Sequence, residues 1–343
     1  MMRPVRLSEV LSFIDRLEGT SHVQEASARS LDFELTGFAP VGSAGAGDVS
    51  FWTGDASVET GLAGNAGGVS AANLESVRAG LLFVPSADAT GVDVSSRFPN
   101  VKYACAVENP YHAMVQFLNN FAAEESVREA VIPASARVHP SAVVEGRLGE
   151  NVIVGPGCVV MGGSEIGDGC ALEANVTVYP HVKVGKGCVF QAGSVIGSRG
   201  FGFYGYRGRK MMVPHLAGVV IGDGCSFGAN TVVAAGFLSP TVIGDNCHFD
   251  SFVQVAHNCC LGNNIFMASQ SGLAGSVVVE DDVELAGGAQ SAGHLTIGKG
   301  AKVAAKAGIT KSIPANAVYA GFPAEDIAVW RRSVVRLRQM GKK

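Results

Sequence analysis

The chain of 343 residues has a formal net charge of −4 and a sequence pI near 6.1, which argues against a dedicated nucleic-acid-binding protein. The length favours two or more domains, and the content of 47% hydrophobic and only 16% charged residues argues against bulk disorder. No apolar run is long enough to cross a bilayer, and acidic residues interrupt the apolar pattern of the N-terminus. We therefore expect neither a transmembrane segment nor a secretory signal.

The first part of the chain, residues 1–125, predicts a small α/β head domain. Apolar residues at helical spacing predict an amphipathic helix within residues 1–22. Three apolar segments further on predict strands, at residues 49–52, 80–84 and 103–107.

A second helix is predicted after the third strand. Asn109 is a favourable N-cap, and Pro110 suits the first helical position because its missing N–H would have no partner there. We expect this helix to end near Ala122.

From residue 132 to residue 313, apolar residues recur every six positions, a period that fits neither a helix nor a single strand. Such a period indicates hexapeptide repeats, which build a parallel β-helix of triangular section. Three hexads make one coil, so residues eighteen apart should stack at strand spacing, about 4.8 Å. After a phase slip near the start, the column of repeat residues runs through Leu148, Val154, Val160, Ile166, Leu172, Val178, Val184, Phe190 and Ile196. It continues through Ile221, Phe227, Val233, Ile243, Phe249, Val255, Leu261, Met267, Leu273, Val279, Leu285, Ser291, Ile297, Val303 and Ile309.

Two insertions interrupt the repeat, at residues 198–218 and 235–240. The first is aromatic and basic, and insertions out of a regular solenoid commonly lie at a functional edge. A loop that only caps a coil is the alternative.

The eight cysteines do not suggest metal sites or disulfides, because no C-x-x-C pair occurs. Six of them fall four places after a column residue, a position for small side chains. We interpret them as buried or half-buried free thiols in a reducing compartment. Those six are Cys158, Cys170, Cys188, Cys225, Cys247 and Cys259.

The repeat register also predicts a candidate site. His257 lies two residues after the column residue Val255, and the same position holds Gly275 and Gly293 in the next two coils. His257 should therefore face a groove of bare backbone, with His294 about 10 Å away. An imidazole beside such a groove is a candidate general base. The alternative is a buried histidine that hydrogen-bonds to neighbouring backbone.

The last segment, residues 323–343, predicts a helical tail rich in arginine and lysine. Cations near a helix C-terminus are favourable in themselves. They could equally dock an acidic partner.

The order of these parts resembles the UDP-3-O-(3-hydroxyacyl)glucosamine N-acyltransferases of lipid A (lipopolysaccharide) biosynthesis, and the resemblance covers almost the whole chain. The motifs that carry it are Ile196-Gly197, Gly200-Phe201-Gly202-Phe203, Val253-Gln254-Val255-Ala256-His257-Asn258, Ala268-Ser269-Gln270, Ala274-Gly275-Ser276 and Gly293-His294. The shorter pieces Asn109-Pro110-Tyr111 and Val138-His139-Pro140-Ser141 also resemble family signatures. The fold that this resemblance implies is a left-handed parallel β-helix with an N-terminal α/β head and a C-terminal α-helix.

The resemblance also implies roles for individual residues. His257 would be the general base, the Gly275 amide would bind the oxyanion, and Asp250 would orient the imidazole. His294 would hold the substrate, and Phe51 would stack on the uracil ring. Further substrate contacts implied by the matching motifs are Asn258, Phe201 and Phe203.

The implied reaction moves a 3-hydroxyacyl chain from acyl carrier protein, through its phosphopantetheine arm, to the 2-amine of UDP-3-O-acyl-glucosamine. It requires no further cofactor and no metal. The implied assembly is a homotrimer with sites between neighbouring solenoids. Its expected location is the cytoplasm, at most peripheral to the inner membrane.

Some positions depart from the family pattern. Ala234 and Ala235 stand where the family has Asp and Arg, and Ser251 replaces an asparagine. The tyrosine expected shortly after Phe51 is missing. Three alternatives therefore stay open: an acetyl-CoA-dependent sugar-nucleotide acetyltransferase, a non-catalytic sugar-nucleotide-binding homologue and a metal-dependent hydratase. The hydratase would need clustered histidines, and no His-x4-His pair surrounds His257.

Overall fold

The structure is a computed structural model that describes residues 4–14, 16–17, 33–53, 76–86, 98–121, 130–321 and 327–341. The predicted start of the helical tail, at residues 323–326, lies outside the described residues.

The head domain is built around a parallel sheet of four strands in sequence order: β3 (Gly37–Phe38), β4 (Asp48–Phe51), β5 (Ala79–Pro85) and β6 (Val101–Val107). The predicted strands are confirmed with ends that differ by one or two residues. Strand β5 is apolar at nearly every position because both of its faces are covered, as is usual in parallel sheets. Leu81 and Phe83 enter one core cluster, and Leu82 and Val84 enter the other.

Two helices accompany this sheet, α1 (Leu7–Ile14) and α2 (Pro110–Phe121). A short antiparallel pair, β1 (Val5–Arg6) with β2 (Glu34–Leu35), precedes the sheet. The predicted N-cap is confirmed, since the Asn109 side-chain oxygen accepts a hydrogen bond from the His112 N–H at 2.9 Å.

The repeat region forms three parallel sheets, which we call the first, second and third faces in the order in which the chain visits them. The first face contains Arg137–Val138, Ile153–Val154, Ala171–Leu172, Val189–Phe190, Ser226–Phe227, His248–Phe249, Phe266–Met267, Glu284–Leu285, Lys302–Val303 and Val318–Tyr319. The second contains Val143–Val144, Val159–Val160, Thr177–Val178, Val195–Ser198, Val232–Ala234, Gln254–Val255, Gly272–Leu273, Gln290–Ser291 and Gly308–Ile309. The third contains Arg147–Leu148, Glu165–Ile166, Val182–Val184, Val219–Ile221, Thr241–Ile243, Cys260–Leu261, Val278–Val279 and Thr296–Ile297.

The predicted register of eighteen is confirmed by the strand pairing. Val255 pairs with Leu273 on the second face, and Leu261 pairs with Val279 on the third. The phase slip is a shortened first coil, in which Val138 pairs with Val154 only sixteen residues on. Column residues point inward and are buried because alternate strand positions face opposite sides.

Each hexad turns a corner three residues after its column residue, where the backbone enters the left-handed region. Asparagine or glycine occupies most of these corners, as expected for residues that tolerate positive φ. The next position is buried, and six cysteines lie there. All eight cysteines are free thiols and seven are buried, while Cys260 is exposed.

The first insertion is a β-hairpin, Phe203–Tyr206 with Arg209–Met212, and it packs on the head domain rather than on the end of a coil. Tyr204 and Val213 belong to the head-domain core, together with Phe237 and Leu238 from the second insertion. The Tyr204 hydroxyl lies 2.7 Å from His112 Nδ1 on helix α2. The insertions thus join the head to the solenoid.

The tail contains helix α3 (Ile327–Met340), which confirms the helix predicted there. Its apolar residues Leu337 and Met340 are exposed on this chain. Within the described ranges, every helix is too short or too polar to cross a membrane.

Candidate active site

His257 lies at the corner between the second and third faces, between strands Gln254–Val255 and Cys260–Leu261. Its carbonyl oxygen accepts a hydrogen bond from the Ser276 N–H at 2.9 Å, and the Gly275 carbonyl accepts one from the His294 N–H at 3.1 Å. These backbone bonds join the corner to the two coils above it. The predicted stack of His257, Gly275 and Gly293 is therefore present.

The glycines of this stack are required by the space around them. A Cβ at Gly275 would lie 2.7 Å from both Nε2 and Cε1 of His257, and a Cβ at Gly293 would lie 2.9 Å from the Gly275 carbonyl oxygen. Among the described residues, the Gly275 N–H donates no hydrogen bond. Above His257 the corner therefore presents backbone without side chains. The edge of the His257 ring lies against Gly275, and the Gly275 N–H is available as a hydrogen-bond donor.

The tautomer of His257 follows from the Asn258 side chain. The Asn258 Oδ1 accepts from the Phe237 N–H at 3.1 Å, and its Nδ2 donates to the Ser239 carbonyl at 2.9 Å, so the amide cannot be flipped without losing both bonds. His257 Nδ1 lies 3.2 Å from Oδ1, and only a protonated Nδ1 can donate there. The lone pair of neutral His257 is therefore on Nε2, the nitrogen beside Gly275.

The protonation state favours a base as well. Burial lowers the pKa of His257 below its ordinary value of 6.5, while the Asn258 amide and the Phe201 carbonyl act in the opposite direction. The imidazole is therefore largely neutral at neutral pH, as a general base must be.

Two sequence models of hexapeptide repeats match this chain. The one described as "Bacterial transferase hexapeptide (six repeats)" matches residues 145–178 and 163–198, and "Hexapeptide repeat of succinyl-transferase" matches residues 218–250. The matched repeats flank the first insertion.

Curated proteins match more specifically. The UDP-3-O-acylglucosamine N-acyltransferase of Caulobacter sp. (strain K31) is 43% identical over 143 residues, which is 42% of this chain and 42% of that protein. The protein of the same name from Wolinella succinogenes is 35% identical over 175 residues, 51% of this chain and 55% of that protein. Over the matched residues, this chain is similar to proteins named UDP-3-O-acylglucosamine N-acyltransferase.

The chain spans about half the length of the curated relatives it matches. Among solved structures, LpxA from Acinetobacter baumannii is 23% identical, covers 59% of this chain and 77% of that chain, and has a TM-score of 0.47. A similarity of that size identifies neither a substrate nor a partner.

The structure places a residue at the candidate site that the sequence pattern missed. His215 lies where the first insertion returns to the solenoid, and its ring centroid is 4.6 Å from that of His257. Gly200 packs between them, since a Cβ there would lie 2.7 Å from His257 Cβ and 2.9 Å from His215 Nε2. The period of six gives no information about insertions, so only the tertiary contact finds His215.

His294 lies one residue past the glycine column, as the register predicts, and is exposed. Its backbone has a φ of +58°, in the left-handed region. Burial lowers the pKa of His294, and the positive charge on protonated His257 lowers it further, which is consistent with two imidazoles near one groove. Its role as a substrate contact stays a prediction.

The structure of the single chain does not bring Asp250 to His257, so its role as an orienting residue stays a prediction. Asp250 follows Phe249 on the first face, a corner away from His257. Its carboxylate accepts hydrogen bonds from the Ser251 N–H at 2.7 Å and the Ser269 N–H at 3.1 Å. Asp250 thus holds the turn of its own coil to the next one, and Asn258 takes the orienting position.

Phe51, the residue predicted to stack on a uracil ring, is buried in the head domain. Phe51 is 6% exposed, and its ring meets Tyr111 edge-on at 5.4 Å in the head core. The ring therefore lies within the packing of the head core, and its stacking on a uracil ring stays a prediction. The segment just after it, where the family has a tyrosine, falls in residues 54–75, outside the described residues.

Phe201 and Phe203 are the exposed aromatic pair near the site. Phe201 is 88% exposed, and the two rings meet edge to face at 5.0 Å. The Phe201 carbonyl faces His257, as the pKa of that residue reflects. The backbone of Phe201 therefore lies beside His257, and the roles of the two rings as substrate contacts stay predictions.

The departure at Ala234 and Ala235 has a structural counterpart. Both residues are buried; the Ala234 carbonyl accepts a hydrogen bond from the Thr241 hydroxyl at 2.7 Å, and the Ala235 N–H donates to Ser198 at 2.8 Å. In the same strand region, Thr241 Oγ1 also accepts from the Asn258 N–H at 2.9 Å. Small residues here thus support the corner that holds Asn258.

No group of three metal-binding side chains occurs among the described residues.

Proposed function

We propose that this protein is an N-acyltransferase of lipid A biosynthesis, which moves a 3-hydroxyacyl chain from acyl carrier protein to the 2-amine of UDP-3-O-acyl-glucosamine. The observation that carries the proposal is the orientation of His257, whose Nε2 lone pair lies against Gly275 in a column free of side chains. The names of the Caulobacter and Wolinella relatives support the acceptor and the reaction class.

In the proposed reaction, the amine nitrogen attacks the thioester carbonyl carbon, and Nε2 of neutral His257 takes the amine proton as the C–N bond forms. When the C–S bond breaks, the imidazolium returns that proton to the departing thiolate of the phosphopantetheine arm. The free N–H of Gly275 donates to the oxyanion, a contribution typically worth roughly 3 kcal/mol. This scheme passes through a tetrahedral adduct and no covalent enzyme intermediate.

The donor would enter along the glycine column. Gly275 and Gly293 leave the backbone uncovered, so a narrow arm can approach His257 where any Cβ would obstruct it. The carrier protein would dock on the exposed basic residues of helix α3, because acidic and basic surfaces attract each other at short range. Those basic residues are Arg331, Arg332, Arg336 and Arg338.

Phe201, Phe203 and His294 are the proposed acceptor contacts. Exposed aromatic rings can stack on a base or cover an acyl chain, and His294 offers ring nitrogens for a sugar or phosphate oxygen.

A homotrimer with sites between neighbouring solenoids is the proposed assembly. It is supported by large apolar side chains left exposed on the first face, including Phe266 at 50% and Val318 at 75%. The free thiols support a reducing compartment, hence the cytoplasm.

The deciding experiment is turnover of UDP-3-O-acyl-glucosamine with purified 3-hydroxyacyl carrier protein by the wild type and by His257→Ala. We expect kcat to fall roughly 10²–10⁴-fold in the variant, because removal of a general base has effects of that size. His139→Ala, an exposed histidine on the first coil, is the matched control and should retain wild-type kcat. A variant that keeps more than about a tenth of the wild-type kcat would remove His257 as the base.

The same assay separates the alternatives. Turnover with acetyl-CoA but not with acyl carrier protein would assign the protein to the sugar acetyltransferases. Binding of the UDP-sugar without turnover by any donor would favour a non-catalytic homologue.

A further inference from the structure

We propose that His215 is a positioning residue that holds the imidazole of His257 against the glycine column and keeps water from its inner side. The inference rests on the proposed function for its kinetic consequences. The contacts of His215 with its neighbours do not depend on that function.

The rings of His215 and His257 are confined by their neighbours. His215 is 7% exposed, and its ring lies tilted by 52° against that of His257 at a centroid distance of 4.6 Å. Gly202 and Gly200 press on the edge of the His215 ring, where a Cβ would come within 2.7 Å and 2.9 Å. Both rings therefore have little freedom to rotate. Because Gly275 bounds His257 on another side, movement of His215 would release the base from its position.

Aromatic packing continues from His215 into the head domain. His215 meets Phe237 edge-on at 6.4 Å, Phe237 contacts Tyr111 at 5.7 Å, and Tyr111 contacts Phe51 at 5.4 Å. This row of rings runs from the head-domain core to His257. His215 is the ring of this row that contacts His257. It therefore couples the position of the head domain to the position of the His257 imidazole.

The surroundings of His215 keep its ring neutral. Among the described residues, the buried Nδ1 of His215 has no hydrogen-bond partner. Burial lowers the pKa of His215 to about 4, with protonated His257 and Arg199 acting in the same direction and the Val213 carbonyl opposing them. His215 is therefore uncharged wherever His257 is needed as a base. A permanently charged side chain at this position would repel the imidazolium that forms during the reaction.

The expected pH dependence follows from these contacts. The groups facing His257 are His215, the Asn258 amide, the Phe201 carbonyl and, across the groove, His294. Burial lowers the pKa of His257, so the wild-type base stays neutral to a lower pH than an exposed histidine would. Removal of the His215 ring admits water, so the pKa of His257 should rise and activity should be lost at a higher pH on acidification.

The experiment compares His215→Ala, His215→Phe and His215→Gln in the full-length protein, with His139→Ala as the matched control. In His215→Ala we expect kcat to fall by about tenfold with KM for the UDP-sugar unchanged, since a base displaced by a fraction of an ångström loses part of its effect. We expect the acid limb of the kcat/KM profile to move to higher pH. His215→Phe should restore both values because a flat apolar ring refills the site.

A measurement that needs no turnover keeps this inference separate from the proposed function. The rate at which diethyl pyrocarbonate modifies His257, followed by peptide mass spectrometry as a function of pH, reports both its access to solvent and its pKa. His215→Ala should speed this modification several-fold at pH 7.5 and raise its midpoint, even if no acyl transfer is ever detected. Thermal melting of each variant shows whether it is folded.

If His215→Ala leaves the modification rate and its midpoint unchanged, or leaves the kcat and acid limb of an active enzyme unchanged, the inference is overturned. Restoration by Gln but not by Phe would assign a hydrogen-bonding role to a ring nitrogen and would also overturn it.

Discussion

Two corners of the solenoid share one backbone geometry and use it differently. At the corner between the third and first faces, polar side chains fill the left-handed position and bond upward: Asn246 donates to Asn264 at 2.9 Å, and Asn264 donates to Asp282 at 3.0 Å. At the corner between the second and third faces, Gly275 and Gly293 remove the side chains above His257.

In the first arrangement, the side chains of Asn246, Asn264 and Asp282 hydrogen-bond to one another. These bonds leave fewer of their polar groups available to a ligand. The second leaves the Gly275 N–H without an acceptor among the described residues and places a basic nitrogen beside it. A site in this fold thus arises where the ladder of side chains is interrupted, and the next three predictions test that contrast.

The largest effect is expected from Gly275→Ala. Its Cβ would lie 2.7 Å from Nε2 of His257, so the imidazole must move away from the groove. We expect kcat to fall by about 10²-fold or more, a size typical of a misplaced catalytic group. Gly308→Ala is the matched control on the second face, because a Cβ there meets nothing within 4 Å. The measurement is the steady-state kcat of the two variants. Equal kcat values would show that the substrate does not bind along the Gly275–Gly293 column.

A smaller effect is expected at Asn258, which orients His257. Asn258→Ala loses the side-chain bonds to Phe237 and Ser239 and leaves His257 Nδ1 without its acceptor. We expect a loss of roughly 1–3 kcal/mol in the free energy of unfolding, the usual effect of leaving buried polar groups unpaired. We expect a fall in kcat of about tenfold or more as the tautomer becomes unspecified.

Asn258→Asp sharpens this test. A carboxylate still accepts from Nδ1, and it stabilises the imidazolium, so the pKa of His257 should rise. We therefore expect more activity than in the alanine variant, with an acid limb at higher pH than in the wild type. A pH–rate profile of the two variants checks the order, and an alanine variant as active as the wild type would contradict the assignment of the orienting residue.

The smallest effect is expected at the other corner. Asn264→Ala breaks the ladder to Asn246 and Asp282 at an exposed left-handed position. We expect a loss of about 1 kcal/mol in the free energy of unfolding, in the range for such backbone positions, with kcat unchanged. Thermal unfolding and the turnover assay together check this, and a large loss of kcat would show that the two corners are not separate.

The solenoid could be predicted almost residue by residue because one period fixes strand, corner and stacking together. Counting by eighteens was enough to place Gly275 and Gly293 over His257. The same counting separates Asp250 from His257 within one chain. Asp250 lies one place after a first-face column residue, whereas His257 lies two places after a second-face column residue, a full corner further on.

The remaining features depend on contacts that no local pattern encodes. His215 lies in an insertion outside the period, and its partner is 42 residues further along the chain. Phe51 could be predicted as a strand residue, but which of its neighbours covers it depends on where helix α2 and the insertions dock. Its burial by Tyr111 was therefore not accessible from the sequence.

The left-handed backbone at His294 bears on how this protein could be engineered. Most equivalent corners carry asparagine or glycine, residues that relieve the conformational strain of a positive φ. A consensus version of the solenoid, assembled from the commonest residue at each hexad position, would replace both His294 and His257 and would gain thermal robustness. Under the proposed function it would also be inactive. Stability-guided redesign of this scaffold should therefore leave unchanged the few corner residues, such as His257 and His294, that differ from the commonest residue of the repeat.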